Sequence, residues 1–195
     1  MNKKILVFLL ATVILASVHL AGAQQAKVHR IGFLYPASLT DPSVEAFRQG
    51  LRDLGYVEGK NIVVEYRSAE GRSERYPDLA AELVRLNVDL IVAGGTAGVR
   101  PVKQATSTIP IVMTNVGDPV EQGFVASLAR PGGNITGLTS ASPDLSGKRL
   151  ELLKEAVRGV TRVAVLWDPR DPGNAVNFKQ TEAAARALSV QLQSL

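Results

Sequence analysis

The sequence predicts an α/β protein built on a doubly wound parallel sheet. Continuous apolar runs rich in β-branched residues occupy residues 90–93 and 109–114, and each stops at a short loop of small or polar residues. Runs of this kind, separated by a helical segment, are typical of a parallel sheet that helices cover on both faces. Five strand–helix repeats precede residue 140, which is enough for a complete doubly wound unit. Since such sheets bind ligands outside the carboxyl ends of their strands, the loops there are the natural place for a site.

The first two repeats follow standard start and stop signals. A strand is predicted at residues 28–35, and the next helix begins with Asp41 as N-cap and Pro42 at its first position. Gly55 ends this helix, and the second strand, at residues 61–66, alternates as an edge strand does. Ser73 is predicted to cap the next helix. The apolar stripes of the two helices are Val44, Phe47, Leu51 and Leu54, and then Tyr76, Leu79, Ala80, Leu83 and Leu86.

Three more strands complete this first unit. Strands three and four are predicted at residues 88–93 and 109–114, with a helix between them that Pro101 should kink. Asp118, with a proline after it and Glu121 three residues on, predicts a capped helix that ends at Leu128. A fifth strand follows at residues 134–140.

The remaining chain begins a second unit. Pro143 and Asp144 are predicted to introduce a helix that crosses from one unit to the other. A strand at 161–167, a helix ending at Leu188 and a strand from residue 190 follow. The predicted inward residues of the crossover helix are Leu145, Leu152, Leu153, Ala156 and Val157. The predicted organisation is a first lobe at residues 28–140, a crossover segment at 141–160 and the start of a second α/β lobe at 161–195.

Composition excludes several kinds of chemistry. The chain has no cysteine, so disulfides, thiolate metal sites and cysteine nucleophiles are excluded, and its only histidines are His19 and His29. We therefore expect no catalytic residues, no metal and no cofactor. There are 22 basic and 18 acidic residues, with no basic cluster interleaved with aromatics, so we expect no nucleic-acid partner.

The N-terminus has the layout of a secretory signal peptide. Lys3 and Lys4 precede an apolar run at residues 5–18, and small residues at 21–23 predict cleavage after Ala23. A transmembrane anchor is the alternative, but the run is shorter than the roughly 20 apolar residues that a spanning helix needs. The mature protein is therefore expected in the periplasm, as a monomer.

The wording of several segments resembles a known family. These segments are KQATSTIPIV, VGDPVEQGFVASLARPGGNITG, FRQGLRDLGYVEGKNIVVEYR, LSGKRLELLKEAV and TRVAVLWDP. Together they resemble the substrate-binding proteins of bacterial ABC importers, more narrowly the group related to tryptophan and tyrosine uptake. The resemblance covers the chain from about Arg30 onward. It implies a type I periplasmic binding fold with a flavodoxin-like first lobe, and a solute held between two lobes. Members of the family carry roughly as much chain again, so this chain is expected to be C-terminally truncated.

Polar residues at the carboxyl ends of the strands are the candidate ligand contacts. Hydroxyls and helix-start N–H groups can hold a carboxylate, and an aspartate can hold an ammonium group. The candidates are Tyr35, Ser38, Thr40, Gly95, Thr96, Asn115, Asp118, Thr139, Ser140 and Asp168. Thr96 and Asp118 have an alternative role as helix N-caps, and Asp168, which precedes a proline, has one as a strand stop. Gly94 and Gly95 are not a phosphate loop, because no lysine–Ser/Thr pair follows them.

Three functions are compatible with these features. The first is a periplasmic binding protein that delivers a small solute, by resemblance an amino acid and possibly an aromatic one, to an ABC permease in the inner membrane. The second is a ligand-sensing module that acts on a membrane receptor. The third is an enzyme on a flavodoxin-like unit, which would need a phosphate loop or an acid/base group after the first strand. Residues 35–43 offer neither, so the transport function is favoured.

Overall fold

The computed structural model describes residues 28–140 and 145–195. The predicted signal peptide lies outside the described residues, as does the predicted Pro143–Asp144 helix start. In the first unit, residues 28–140, five parallel strands form one sheet in the order β2-β1-β3-β4-β5. Its elements are β1 (His29–Tyr35), α1 (Pro42–Asp53), β2 (Ile62–Ser68), α2 (Tyr76–Arg85), β3 (Leu90–Gly94), α3 (Gly95–Ala105), β4 (Ile111–Gly117) and β5 (Ile135–Ser140). The prediction of a doubly wound parallel sheet is confirmed, and β2 is an edge strand as its alternation predicted.

The core lies on both faces of this sheet. Successive strand residues point to opposite faces, so β1 sends Phe33 toward α1 and Leu34 toward the other side. Phe33 packs with Val44 of α1, while Leu34 joins a larger cluster that includes Leu83 of α2 and Val99 of α3. All five of these side chains are almost completely buried. The sheet is therefore held rigidly, and its strand ends have fixed positions.

Helix α1 begins as the sequence predicted. The Asp41 carboxylate accepts a hydrogen bond from the Ser43 N–H at 2.8 Å, and Pro42 stands at the first helical position. The start of α2 differs from its prediction. Ser73 opens a short 3₁₀ turn, Ser73–Arg75, and α2 follows it directly without a side-chain cap, because the turn itself leads the chain into the helix.

The predicted helix after β4 does not form. The Asp118 carboxylate accepts from the Glu121 N–H at 2.9 Å, so the predicted cap exists, but it closes only one turn. That turn ends at Gly123, whose φ is 69°. The next two residues, Phe124 and Val125, are 5% and 7% exposed and contribute to the core. Burial of these two side chains outweighs the continuation of a solvent-exposed helix.

Strand β4 also runs further than predicted and contains a bulge. Its pairing with β5 shifts register between Met113 and Val116, and Asn115 has a positive φ of 55°. The bulge leaves Asn115 exposed while Val116 returns to the core with no exposed surface. A strand residue predicted to lie in a loop is thus presented at the sheet's carboxyl edge.

The second unit, residues 145–195, is smaller. Its elements are α4 (Ser146–Ala156), β6 (Arg162–Val165), α5 (Pro172–Ala187) and β7 (Gln191–Ser194), and the two strands pair in parallel. Leu150, Ala185 and Val190 form its core. No helix among the described residues is long and apolar enough to span a membrane. The exact lobe boundaries stay a prediction.

The predicted inward face of the crossover helix is wrong. Leu152 and Val157 are 52% and 50% exposed, and Leu145, Leu153 and Ala156 are exposed as well. Helix α4 packs against α5 through Leu150 and buries Ser146 beside it. Because one helix and two short strands offer little apolar surface, only this narrow stripe of α4 is covered.

Candidate functional site

A cleft of about 570 Å³ lies where the first unit meets the start of α5. The carboxyl ends of β1, β3, β4 and β5 form one wall, and the first turns of α5 form the other. Strand order 2-1-3-4-5 changes direction between β1 and β3, and the cleft lies at this switch point, where open α/β sheets bind ligands. The volume is within the range of pockets for small molecules.

Five predicted site residues meet in this cleft. Tyr35 ends β1, Gly95 and Thr96 start α3, Asn115 lies on the β4 bulge and Ser140 ends β5. The sequence separated these residues by more than 100 positions, and the parallel sheet brings them to one edge. Their convergence follows from strand order alone, because the carboxyl ends of parallel strands share an edge.

The start of α3 is the main polar feature of the first wall. Gly94 is its N-cap and has no side chain to accept from the first-turn N–H groups. The next three residues, Gly95 to Ala97, line the cleft. Thr96 is therefore not the N-cap that the sequence suggested; it is the second helical residue and is 3% exposed. A helix start of this kind attracts an anion, since its N–H groups and macrodipole both favour negative charge.

The second wall comes from α5. Asp171 is the N-cap of α5 and accepts from the Gly173 N–H at 2.8 Å, and Pro172 stands at the first helical position. The side chains of Asn174 and Asn177 also line the cleft, one and nearly two turns into the helix. A methyl group on Gly173 would lie only 2.9 Å from Thr96 Oγ1, so glycine allows the two helix starts to meet.

Tyr76 packs against one wall of the cleft and interacts electrostatically with Asp171 of the other. Its ring packs against Gly98 of α3 and is 5% exposed. Burial raises the pKa of the Tyr76 hydroxyl above its usual value, and the negative charge of Asp171 raises that pKa further. The phenol is therefore a neutral hydrogen-bond donor at physiological pH, beside a carboxylate.

The other five predicted residues lie outside the cleft lining. Ser38 and Thr40 bond to each other at 2.8 Å in an exposed turn, and Thr139 is exposed on β5. Asp118 caps its single turn. Asp168 forms an ion pair with Arg170 at 2.9 Å, and that hydrogen-bonded guanidinium lowers the pKa of the Asp168 carboxyl. Except for Thr139, each of these residues has a hydrogen-bond partner nearby in the sequence.

Sequence reasoning missed several residues that the cleft contains. They are Ser43, Tyr76, Thr114, Asp171, Asn174 and Asn177. A signal did exist for Asp171, since the Asp-Pro pair at residues 171–172 repeats the pair that starts α1. The asparagines carried no such signal, because their position depends on how α5 packs against α3 and β4. Among the described residues, no group of three or more His, Cys, Asp or Glu could hold a metal ion.

The fold and the cleft together define a class of protein. A doubly wound sheet with a polar cleft at its switch point, closed by a second α/β unit, is the architecture of a two-lobed solute-binding protein. Residues 33–195 match the family described as ABC transporter substrate binding protein, and the chain belongs to that family. Members of this family bind small solutes, and the family is not one of enzymes.

Individual relatives agree with this assignment. A tyrosine-binding protein of Clostridioides difficile is 34% identical over 137 residues, which cover 70% of this chain and 39% of that protein. A crystal structure of a conserved domain protein from Vibrio cholerae is 32% identical with a TM-score of 0.76, covering 87% of this chain and 57% of the other. A Streptococcus pneumoniae ABC domain in complex with L-Trp has the same TM-score and the same coverages at 23% identity, which shows a shared fold. The chain thus spans about half the length of these relatives.

Proposed function

We propose that this chain is a periplasmic solute-binding component of an ABC importer, and that the cleft binds an amino acid. The observation that carries the proposal is the pairing of two helix starts across the cleft. One of them, at Gly95, has no side-chain cap, and the other carries the Asp171 carboxylate. The uncapped helix start suits a carboxylate, and the Asp171 carboxylate suits an ammonium group. An α-amino acid carries both charges on adjacent atoms and matches this arrangement.

The character of the solute side chain follows from the rest of the lining. Tyr35 and Tyr76 bring two aromatic rings to the cleft, and aromatic surfaces pack well against apolar or aromatic groups. The names of two relatives, which mention tyrosine and L-Trp, support an aromatic amino acid. The proposal also includes delivery of the solute to a permease, in line with the family's role. It further includes export by a signal peptide that is cut after Ala23.

Thermal-shift measurements on the purified chain, with the 20 amino acids as probes, test the binding. At a hundredfold excess over Kd a ligand adds about 2.7 kcal/mol, which raises the Tm of a chain of this size by roughly 5–10 °C. If the folded chain responds to none of the 20, the proposed function is wrong. N-terminal sequencing of protein recovered from the periplasm tests the cleavage after Ala23.

A pair of matched variants locates the site. Asp171→Asn removes the charge but keeps a residue that caps helices well, so the fold should persist while affinity falls about tenfold or more. Asp168→Asn is the control, since Asp168 lies outside the cleft and pairs with Arg170. An equal loss of affinity in the two variants would contradict the proposal that Asp171 binds the ammonium group of the solute.

A further inference from the structure

One residue that lines this cleft has a buried polar atom without a hydrogen-bond partner. Asn177 Oδ1 has no significant exposed surface and accepts no hydrogen bond, and it is the one such side-chain atom among residues 28–140 and 145–195. The backbone of Asn177 is satisfied differently: its carbonyl accepts from the Thr181 hydroxyl at 2.8 Å. Polar atoms buried in this way destabilise a folded protein unless something donates to them.

The position of Asn177 suggests where that donor comes from. The residue lines the 570 Å³ cleft and also a second cavity of about 250 Å³ between α4 and α5, lined by Ser146 and Leu150 among others. Its side chain therefore stands at the boundary between the two spaces. It lies six residues beyond Asp171 on α5, which is about 9 Å along a helix. That separation is comparable with the length of an extended amino acid side chain.

We infer that Asn177 is a specificity-determining residue whose side chain turns toward the cleft and accepts a hydrogen bond from the end of the solute's side chain. This inference rests on the proposed function, because it needs the charged end of an amino acid to be held near Asp171. A solute with a hydroxyl or N–H at the far end of its side chain satisfies Oδ1. A solute of the same shape without that donor leaves Oδ1 unpaired and binds more weakly, because a site built to pair a polar group discriminates strongly against the analogue that lacks it.

Calorimetric titration with matched pairs of amino acids tests this selection. The pairs are L-tyrosine and L-phenylalanine, and L-glutamine and L-methionine, whose members are similar in shape but differ in a hydrogen-bond donor at the far end of the side chain. The wild-type chain should bind the donor-bearing member of at least one pair about tenfold tighter or more. In Asn177→Leu that ratio should fall to about one. Equal affinities within every pair for the wild type, or a ratio that survives in Asn177→Leu, would overturn the inference.

Stability measurements separate this role from a structural one. Asn177→Leu removes an acceptor that nothing satisfies, so the ligand-free variant should melt at or above the wild-type temperature. A clear drop in Tm would mean that Asn177 supports the fold, which would also overturn the inference. Asn177→Asp keeps the acceptor and the shape, and should keep the preference. Gln180→Leu, an exposed position on the same helix, is the control and should leave the ratio unchanged.

The same measurements distinguish a failure of the role of Asn177 from a failure of the proposed function. If the folded chain binds amino acids but does not discriminate within the pairs, the proposed function stands and only the role of Asn177 is wrong. If it binds none of the 20, the proposed function itself is wrong.

Discussion

Replacing Gly137 with alanine should disrupt both the sheet and the cleft. Gly137 lies on β5 opposite the β4 bulge and has a φ of 141°, a conformation that side chains rarely adopt. A Cβ built there would lie 2.0 Å from the Met113 carbonyl oxygen and 2.7 Å from its nitrogen. Both atoms belong to the backbone of the neighbouring strand, so no rotamer change can relieve the overlap. The strands would have to separate or the bulge would have to rearrange.

Two contributions set the loss of folding stability in Gly137→Ala. A non-glycine residue in such a conformation costs about 1–3 kcal/mol. The overlap with Met113 adds the cost of overpacking, which is again about 1–3 kcal/mol. A total of about 3 kcal/mol or more lowers the Tm of a chain of this size by at least roughly 6 °C. Urea or thermal denaturation followed by circular dichroism measures the change.

The control is Gly133→Ala, four residues earlier in the same region. A Cβ at Gly133 meets nothing within 4 Å, so Gly133→Ala should change the free energy of unfolding by no more than about 0.5 kcal/mol. If Gly137→Ala melts within about 2 °C of the wild type, the close approach of β4 and β5 at the bulge does not exist. Because the bulge presents Asn115 to the cleft, a folded Gly137→Ala variant should also lose ligand affinity.

Three other substitutions test separate parts of the structure. The pKa of Asp41 is lowered, mainly by the hydrogen bond that it accepts from the Ser43 N–H, so Asp41→Ala should lower the Tm at pH 7. Because a lowered folded-state pKa stabilises fully above the unfolded value, the difference in Tm should begin to shrink as the pH falls through about 4 and should vanish below the folded-state pKa. Leu150→Ala should destabilise the second unit by about 2 kcal/mol, because Leu150 is buried. Leu152→Ala is the control: Leu152 lies on the same helix but is 52% exposed, so its loss should change the stability by less than about 0.5 kcal/mol. Hydrogen exchange of residues 146–195 measures both changes. Gly173→Ala should weaken binding of the amino acid that the thermal-shift measurements identify, by about fivefold or more, because the added methyl group would press on Thr96 Oγ1. An unchanged affinity in calorimetric titration would refute that contact.

The first unit could be predicted from the sequence because its signals are local. The apolar runs that became β3 and β4 are bounded by glycine or polar residues, and the Asp41 cap lies directly before its helix. Strand order then placed Tyr35, Thr96 and Asn115 at one edge without any knowledge of side-chain packing. What the sequence could not place was the extent of β4, since a bulge depends on the partner strand.

The second wall of the cleft was harder to predict because it depends on contacts between distant segments. Helix α5 reaches the first unit through α3 and β4, and Lys179 lies 3.6 Å from Glu121 across the contact. Nothing near Asn174 or Asn177 in the sequence indicates that these side chains face the strand ends. The exposed apolar residues of α4 show the same limit, since periodicity indicates an apolar face but not whether anything covers it.

The Asp-Pro pairs of this chain show why a local motif does not determine a site. Such pairs occur at residues 41–42, 118–119, 168–169 and 171–172. The pairs at 41–42 and 171–172 start helices, since the residues that follow them continue a helical pattern without interruption. The pair at 118–119 makes one turn because the buried Phe124 follows Gly123, and the pair at 168–169 is held by Arg170. Of the four aspartates only Asp171 lines the cleft, because α5 is the helix whose start packs against the carboxyl edge of the sheet. The functional difference between identical dipeptides is therefore set by what their helices contact, and the removal of the charge in Asp171→Asn tests that conclusion directly.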